Sequence, residues 1–278
     1  MCIVNSKIID SVVKELEIDD IRSASIRQIG AVVRAVEART GIEYVHFEMG
    51  VPGLPPSAVG VKAECEALQR GVASVYPIID GIPEIKEQAS RFVKAFLDAD
   101  INPQGCIPTV GSMQASFASL MLASQLDSKR DTVLYIDPGF PVQKLQAKVI
   151  GVNVASFDIA SCRGRALESK LEEIYEKGNI CAVLYSTPNN PTWMTLTEEE
   201  LEIIGRLSAK YDVLVIEDLA YMTMDFRRDM GRPFEPPFQP SVSKYTDNYI
   251  LQGIVMTGKQ IVGYTCKSNT LACITENL

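Results

Sequence analysis

Residues 181–221, CAVLYSTPNNPTWMTLTEEELEIIGRLSAKYDVLVIEDLAY, carry the clearest fold signal of this 278-residue chain. Apolar runs at 181–186 and 213–217 have the length and content of buried strands, and residues 198–211 repeat apolar side chains at helical spacing. Parallel strands need a long crossover between them, which is usually a helix. This stretch therefore predicts two parallel strands of one sheet, joined by a helix.

The same alternation continues on both sides of this stretch. Further strands are predicted at residues 132–136, 152–157 and 248–251, and further helices at 58–71, 83–97, 111–126 and 166–177. We predict an α/β fold whose mostly parallel sheet has helices on both faces. Residues 1–45 form an N-terminal helical segment in this prediction, and residues 46–278 form the main domain.

Composition excludes several classes of function. The formal net charge of −8 argues against nonspecific binding to nucleic acid or to an anionic membrane surface. No apolar run approaches the ~20 residues of a membrane span. The seven cysteines are scattered without a CxxC pair and the N-terminus resembles no secretion signal, so we predict a cytoplasmic protein. His46 is the only histidine, and we predict no metal site.

Four segments lie where a parallel sheet binds ligands, beyond the carboxyl ends of strands or at helix starts. They are TVGSMQA at 109–115, IDPGFPVQ at 136–143, YSTPNNPT at 185–192 and VLVIEDLAY at 213–221. Backbone N–H groups at a helix start suit a phosphate, and adjacent carboxylates at a buried strand end carry a desolvation cost unless they are partnered. Each segment alone also fits a plainer structural role, such as a cap, a core aromatic or a turn.

In this order, the four segments resemble fold-type I pyridoxal-phosphate enzymes of the class I and II aminotransferases, from about Phe47 onward. The resemblance implies the large domain of the aspartate aminotransferase fold and the cofactor pyridoxal 5′-phosphate. It also implies transfer of an amino group between an amino acid and a 2-oxo acid, by a homodimer whose sites are shared between subunits.

The resemblance assigns four residues to the cofactor's ring. Asp218 would lie against the pyridine nitrogen and keep it protonated, and Phe140 would stack on the ring. Asn190 and Tyr221 would hydrogen-bond the phenolic oxygen. A protonated ring is needed because this cofactor works by drawing carbanion electrons into it. Asp218 and Tyr221 are therefore predicted catalytic residues as well as cofactor contacts.

Other residues are assigned to the phosphate and the substrate. Gly111, Ser112 and Met113 would offer backbone donors to the cofactor phosphate. Tyr76 resembles the tyrosine that reaches the phosphate of the neighbouring subunit. Gly50 lies in the loop that lines the substrate's side of the site in this family.

The lysine that carries the cofactor and moves the substrate's proton is predicted to be Lys259. Lys267 falls near the family's phosphate-binding arginine, but a lysine lacks the bidentate fork of that arginine. Lys244 and Lys267 remain rival candidates for the cofactor lysine. The segment departs from the usual S-x-S-K pattern, and Trp193 replaces the glycine that usually follows the N-P-T segment.

The resemblance also implies a long continuation after Leu278, which would form most of a small domain and carry the arginine that binds the substrate carboxylate. We therefore expect a C-terminally truncated member of the family. The cofactor residues do not determine which substrate bond is broken, so a lyase on the same scaffold is one alternative. A truncated, non-catalytic relative that acts as a binding module is another.

Overall fold

The computed structural model describes residues 5–46, 55, 57–76, 78–222, 239–255 and 261–266. The chain divides into two compact units, Met1–Pro55 and Pro56–Leu278. The functional division into residues 1–45 and 46–278 stays a prediction. No helix in the described ranges is long and apolar enough to cross a bilayer.

The first unit contains two helices, α1 (Ser6–Glu15) and α2 (Ile26–Thr40). Ser25 caps α2 by accepting a hydrogen bond from the Gln28 N–H, while the Gln28 side chain accepts from the backbone N–H of Ser25. Gly41 ends α2 at φ 69°, a left-handed conformation that glycine adopts without strain. The capping box explains where α2 begins, and Gly41 explains where the predicted helical run ends.

The second unit is built on a seven-stranded sheet in the order β1-β7-β6-β5-β4-β2-β3. The strands are β1 (Cys106–Val110), β2 (Thr132–Asp137), β3 (Asn153–Asp158), β4 (Ile180–Ser186), β5 (Leu214–Asp218), β6 (Tyr249–Val255) and β7 (Ile261–Cys266). Neighbouring strands from β3 to β6 are parallel, and β7 is antiparallel to both β1 and β6. The predicted mostly parallel sheet is confirmed, with β1 and β7 as additions to it.

Helices cover both faces of this sheet. The helices of the second unit are α3 (Ala58–Gln69), α4 (Pro83–Leu97), α5 (Gly111–Leu126), α6 (Pro141–Ile150), α7 (Ala166–Tyr175) and α8 (Glu198–Tyr211). The helices from α4 to α8 contribute side chains to the cores on the two faces of the sheet, whereas α3 has no buried residue. Side chains alternate between the two faces of a strand. Val183 and Val215 accordingly join the core formed by α4, α7 and α8, while Leu184 and Ile216 join the core formed by α5 and α6. The same alternation determines on which face of the sheet each polar side chain at a strand end lies.

Candidate active site

The loops that follow β2 and β4 meet at the carboxyl edge of the sheet. Asn189 joins them, since its Nδ2 donates to the Pro138 carbonyl at 2.7 Å and to Ser186 Oγ at 3.2 Å. Its Oδ1 accepts from the Thr192 hydroxyl at 2.8 Å. All the polar atoms of the Asn189 side chain are thus used within the loops. Asn189 therefore holds the two loops together.

The structure brings the side chains of Asn190 and Tyr221 together. Asn190 Nδ2 donates to the Tyr221 hydroxyl at 3.2 Å, and both side chains are half-buried. Trp193 contacts the Tyr221 ring edge-to-face, with ring centroids 5.4 Å apart. Trp193 has φ 61°, a left-handed conformation that costs a side-chain-bearing residue about 1–2 kcal/mol. The family's usual glycine would avoid that cost, whereas Trp193 offsets part of it by packing on Tyr221.

Asp218 ends β5 on the face that carries α5 and α6. Its side chain is only 5% exposed. Oδ2 accepts from Gln143 Nε2 at 2.6 Å, and Oδ1 accepts from the Ala220 N–H at 3.0 Å. Burial raises the pKa of Asp218, and hydrogen bonds from Ala220, Gln143 and Gln252 oppose that rise. Within the described ranges, no cationic side chain contributes to this balance. The site therefore presents a buried carboxyl group that a cationic ligand would stabilise.

Glu217, the adjacent carboxyl group, lies on the opposite face of the sheet. It accepts hydrogen bonds from the hydroxyls of Tyr185 at 3.2 Å and Ser241 at 2.5 Å, and from the Val242 N–H at 3.3 Å. Burial raises the pKa of Glu217 to about 7. The sequence marked this pair of carboxyls together as a functional position, but the structure separates them. Glu217 therefore connects β4 and β5 with the 3-10 turn Val242–Lys244 by hydrogen bonds.

The start of α5 lies at the end of β1. Gly111 is buried and has φ 75°, a conformation that favours glycine. Ser112 and Met113 follow it in the first turn, and no side chain caps the helix at Val110. Gln146 Nε2 donates to the Met113 carbonyl at 2.8 Å, which holds this turn against α6. The three predicted phosphate donors thus lie together in the first turn of α5.

The remaining predicted residues have no described contact with Asp218, Asn190 or Tyr221. Phe140, the residue directly before α6, is half-buried, and Tyr76 is fully exposed. Lys244 is exposed in the 3-10 turn that packs on α8, on the face opposite Asp218, so this placement does not support it as the cofactor lysine. Gly50, Lys259 and Lys267 lie outside the described residues.

Two residues of the site were missed by the sequence analysis, Gln143 and Gln252. Gln143 lies in the first turn of α6, three residues after Phe140, and a predicted helix there would have directed it toward the sheet. Gln252 is a buried polar residue within the apolar strand YILQGIV. Buried polar side chains need partners, which was the available signal. Groups of three His, Cys, Asp or Glu side chains that could hold a metal are absent from the described ranges.

Comparison with known proteins adds to this geometry. Residues 43–254 match the family model of aminotransferase class I and II. The glutamate-pyruvate aminotransferase AlaC of Escherichia coli is 33% identical over 197 residues, which cover 69% of this chain and 46% of AlaC. An asparagine–oxo-acid transaminase of Streptococcus mutans is 26% identical over 81% of this chain and 56% of its own length. The chain spans about half the length of these curated relatives.

Solved structures share the fold. An aspartate aminotransferase from Thermus thermophilus, determined with maleate, superimposes with a TM-score of 0.68 at 20% identity, over 91% of this chain and 65% of that one. An aminotransferase from Mycobacterium tuberculosis gives a TM-score of 0.69 at 18% identity, over 93% of this chain and 67% of that one. Since the family model covers most of the sequence, the chain belongs to the aminotransferase class I and II family.

Proposed function

We propose that this chain binds pyridoxal 5′-phosphate and contributes to transfer of an amino group between an amino acid and a 2-oxo acid. Members of the family use this cofactor. The observation that carries the proposal is the buried Asp218 carboxyl group, held by neutral hydrogen-bond donors at the carboxyl edge of the sheet. When bound, the cofactor supplies a protonated ring that accepts the electron pair released at the substrate's Cα.

The residues present fit that group. A buried carboxylate without a cation in the described part of the chain suits a protonated ring nitrogen. The Asn190 amide and the Tyr221 hydroxyl converge as a pair of donors suited to a phenolic oxygen. The start of α5, beginning at Gly111, suits a phosphate because backbone N–H groups and the positive end of the helix dipole favour an anion there. Phe140 would cover the face of the ring.

Each of these residues then has a defined task. Asp218 keeps a proton on the ring nitrogen, and burial strengthens that interaction because water does not screen it. Tyr221 and Asn190 orient the phenolic oxygen. We assign to Lys259 the amine that carries the cofactor and moves the proton at the substrate's Cα, and to Lys267 a cationic contact with the phosphate. Gly50 would line the substrate's side of the site.

We also infer a homodimer. Val59, Val75, Tyr76 and Ile79 are largely exposed apolar or aromatic side chains within 21 residues of each other in the chain. Clusters of exposed apolar residues mark interaction sites. Tyr76, the residue expected to reach a neighbouring subunit, lies among them. A second copy of the chain is the partner that this arrangement favours.

A cytoplasmic location is proposed on the state of the cysteines. Cys65, Cys106, Cys162 and Cys181 carry free thiols. Burial raises the pKa of the Cys106 and Cys181 thiols to about 11, so little of the reactive thiolate form is present at neutral pH. Free, protonated thiols suit a reducing compartment.

Borohydride trapping tests the proposed function and the choice of lysine together. The protein is mixed with pyridoxal 5′-phosphate, reduced with borohydride and digested, and the modified peptide is identified by mass spectrometry. Modification at Lys259 supports the proposal, and modification at Lys267 alone would reassign the lysine. No specific modification, together with no change in the cofactor's absorption spectrum, contradicts cofactor binding. Before reduction, a bound cofactor whose absorption spectrum does not respond to added amino acids would favour a binding module.

A further inference from the structure

Two buried carboxamides flank the Asp218 carboxyl group. Gln143, on the first turn of α6, is 2% exposed and places Nε2 at 2.6 Å from Asp218 Oδ2. Gln252, on β6, is completely buried and is the cross-strand partner of Asp218 in the parallel pair β5–β6. A hydrogen bond from its side chain is among the interactions that lower the pKa of Asp218. The carboxyl group is thus held from two elements that are distant in sequence.

Gln252 also reaches the helix start at α5. Its Nε2 donates to Ser116 Oγ at 3.1 Å, and Ser116 Oγ donates to the Ser112 carbonyl at 2.9 Å. Ser116 is itself buried. Gln252, the cross-strand neighbour of Asp218, is therefore hydrogen-bonded through Ser116 to the first turn of α5. Asp218 and this turn are the two parts of the site to which the cofactor's ring nitrogen and phosphate were assigned.

The backbones of both glutamines are also fixed. The Tyr135 hydroxyl donates to the Gln143 carbonyl at 3.1 Å, and the Leu219 N–H donates to the Gln252 carbonyl at 2.7 Å. Ordered donors stabilise a charge with little reorganisation, because their geometry exists before the ligand binds. An exposed glutamine whose side chain rotates freely would first have to be ordered, and it would stabilise the charge less.

We propose that Gln143 and Gln252 are positioning residues that keep the Asp218 carboxyl group ionised and oriented, with Gln252 also linking it through Ser116 to the start of α5. This inference rests on the proposed function for its purpose. A lysine or arginine in either place would neutralise Asp218 and compete with a protonated ring. A carboxamide donates a hydrogen bond without adding charge and does not titrate. The negative charge of Asp218 thus stays available for the cofactor.

The pKa of Asp218 in the full chain without added cofactor is the most direct readout. Carbon-13 NMR of aspartate-labelled protein follows the carboxyl carbon through a pH titration, and Asp218→Asn assigns the signal. Gln143→Met and Gln252→Met keep similar volume but lack the N–H donors. A hydrogen bond to a charged group shifts a pKa by about one unit. We expect each variant to raise the pKa of Asp218 by about that amount.

Gln239→Met is the matched control. Gln239 is also buried, and its Nε2 donates to the Thr187 carbonyl at 2.9 Å instead of to a carboxylate. This variant should leave the pKa of Asp218 unchanged. An unchanged pKa in both Gln143→Met and Gln252→Met would overturn the proposal. If either variant fails to fold, the NMR signals of the side-chain NH2 groups of both glutamines are followed in the unaltered chain instead. The proposal predicts that their chemical shifts change with pH as Asp218 titrates. Chemical shifts that stay constant through this titration would refute it.

Cofactor binding separates this inference from the proposed function. If the unaltered chain does not bind pyridoxal 5′-phosphate, the proposed function fails, while the NMR titration still decides the role of the glutamines. If it binds, the dissociation constant is measured across pH for each variant. Gln143→Met and Gln252→Met should weaken binding by up to about tenfold, a ratio that is approached at pH values below the pKa of Asp218 in both proteins. Parallel pH profiles for all variants would contradict the positioning role.

Discussion

Replacement of Glu217 by glutamine tests how burial controls the charges under the site. Glu217 is completely buried, and its hydrogen-bond donors are the hydroxyls of Tyr185 and Ser241 and the Val242 N–H. Among the residues that the structure describes, no cation contributes to its pKa. Burial raises its pKa from 4.5 to about 7, and the three hydrogen bonds offset only part of that rise. The native state therefore holds a proton that the unfolded chain has already released at intermediate pH.

The sign and size of the effect follow from this difference. Below pH 4.5 both states are protonated, and the stability contributed by the proton is fully present. Stability is lost as pH rises through the range from 4.5 to about 7, and the loss is complete above that range. The total amounts to about 3 kcal/mol of unfolding free energy. Glutamine does not ionise, so Glu217→Gln removes this dependence.

Urea unfolding of Glu217→Gln and the unaltered chain, at steps from about pH 5 to about pH 8, measures the effect. The free energy of unfolding of the variant should rise relative to the unaltered chain by about 2.5 kcal/mol across this range, because part of the total is already lost at pH 5. The contribution of Asp218 cancels in the difference, because both proteins contain it. A difference that stays flat would mean that Glu217 ionises normally, and would refute the argument from burial.

Glu200→Gln provides a matched control of opposite sign. Glu200 is also completely buried, and burial alone would raise its pKa, but hydrogen bonds from the Gly164 and Thr197 N–H groups and from Arg163 outweigh burial and lower it. Its contribution to stability is present above 4.5 and is lost as pH falls through the lowered pKa. Glu200→Gln should therefore be less stable by a constant amount over the same pH range.

Two further pairs of variants test the packing that positions the site. Gly81 has φ 94°, and a Cβ atom there would lie 2.5 Å from Pro108 Cγ, so Gly81→Ala should destabilise by about 2 kcal/mol or more in urea unfolding. Gly151 has φ 84° with nothing within 4 Å of that position, and Gly151→Ala should cost only about 1 kcal/mol of strain; equal losses would show that the contact with Pro108 is irrelevant. Leu201→Ala removes a fully buried side chain of α8 and should lower the unfolding free energy by about 2–5 kcal/mol, whereas Leu126→Ala, at a residue that is 49% exposed, should cost far less. Comparable losses for these two leucines would contradict the core described above.

The part of the fold that the sequence predicted is the part whose signals are local. Strands β4 and β5 are continuous apolar runs, and the helix between them begins at a capping box formed by Thr197 and Glu200. The edge strand β1 was missed because it is only five residues long and contains Pro108, which a strand tolerates best at a sheet edge. Helix α6 was missed because the turn before Pro141 dominated that segment.

The site residues also divide into those with a local sequence signal and those whose position depends on packing. Asp218, Asn190 and Tyr221 could be singled out because each lies just after a predicted strand, in a segment that resembles the family. The contacts of Asp218 with Gln143 and Gln252 depend on the packing of α6 and on the register of β5 against β6, which local patterns do not contain. The opposite orientations of Glu217 and Asp218 did follow from strand alternation, and that signal was available in the sequence.

The affinity of the chain for pyridoxal 5′-phosphate, with and without the Asp218 carboxylate, tests the central claim most directly. Asp158→Asn is the matched control, because Asp158 also ends a strand and accepts a hydrogen bond from the N–H two residues on, at 2.9 Å, but is exposed. Loss of one partner of a buried charge pair costs about 2–5 kcal/mol, so Asp218→Asn should weaken binding by at least about 30-fold. Asp158→Asn should bind as the unaltered chain does. Equal affinities of the Asp218→Asn and Asp158→Asn proteins would contradict the assignment of Asp218 to the cofactor's ring.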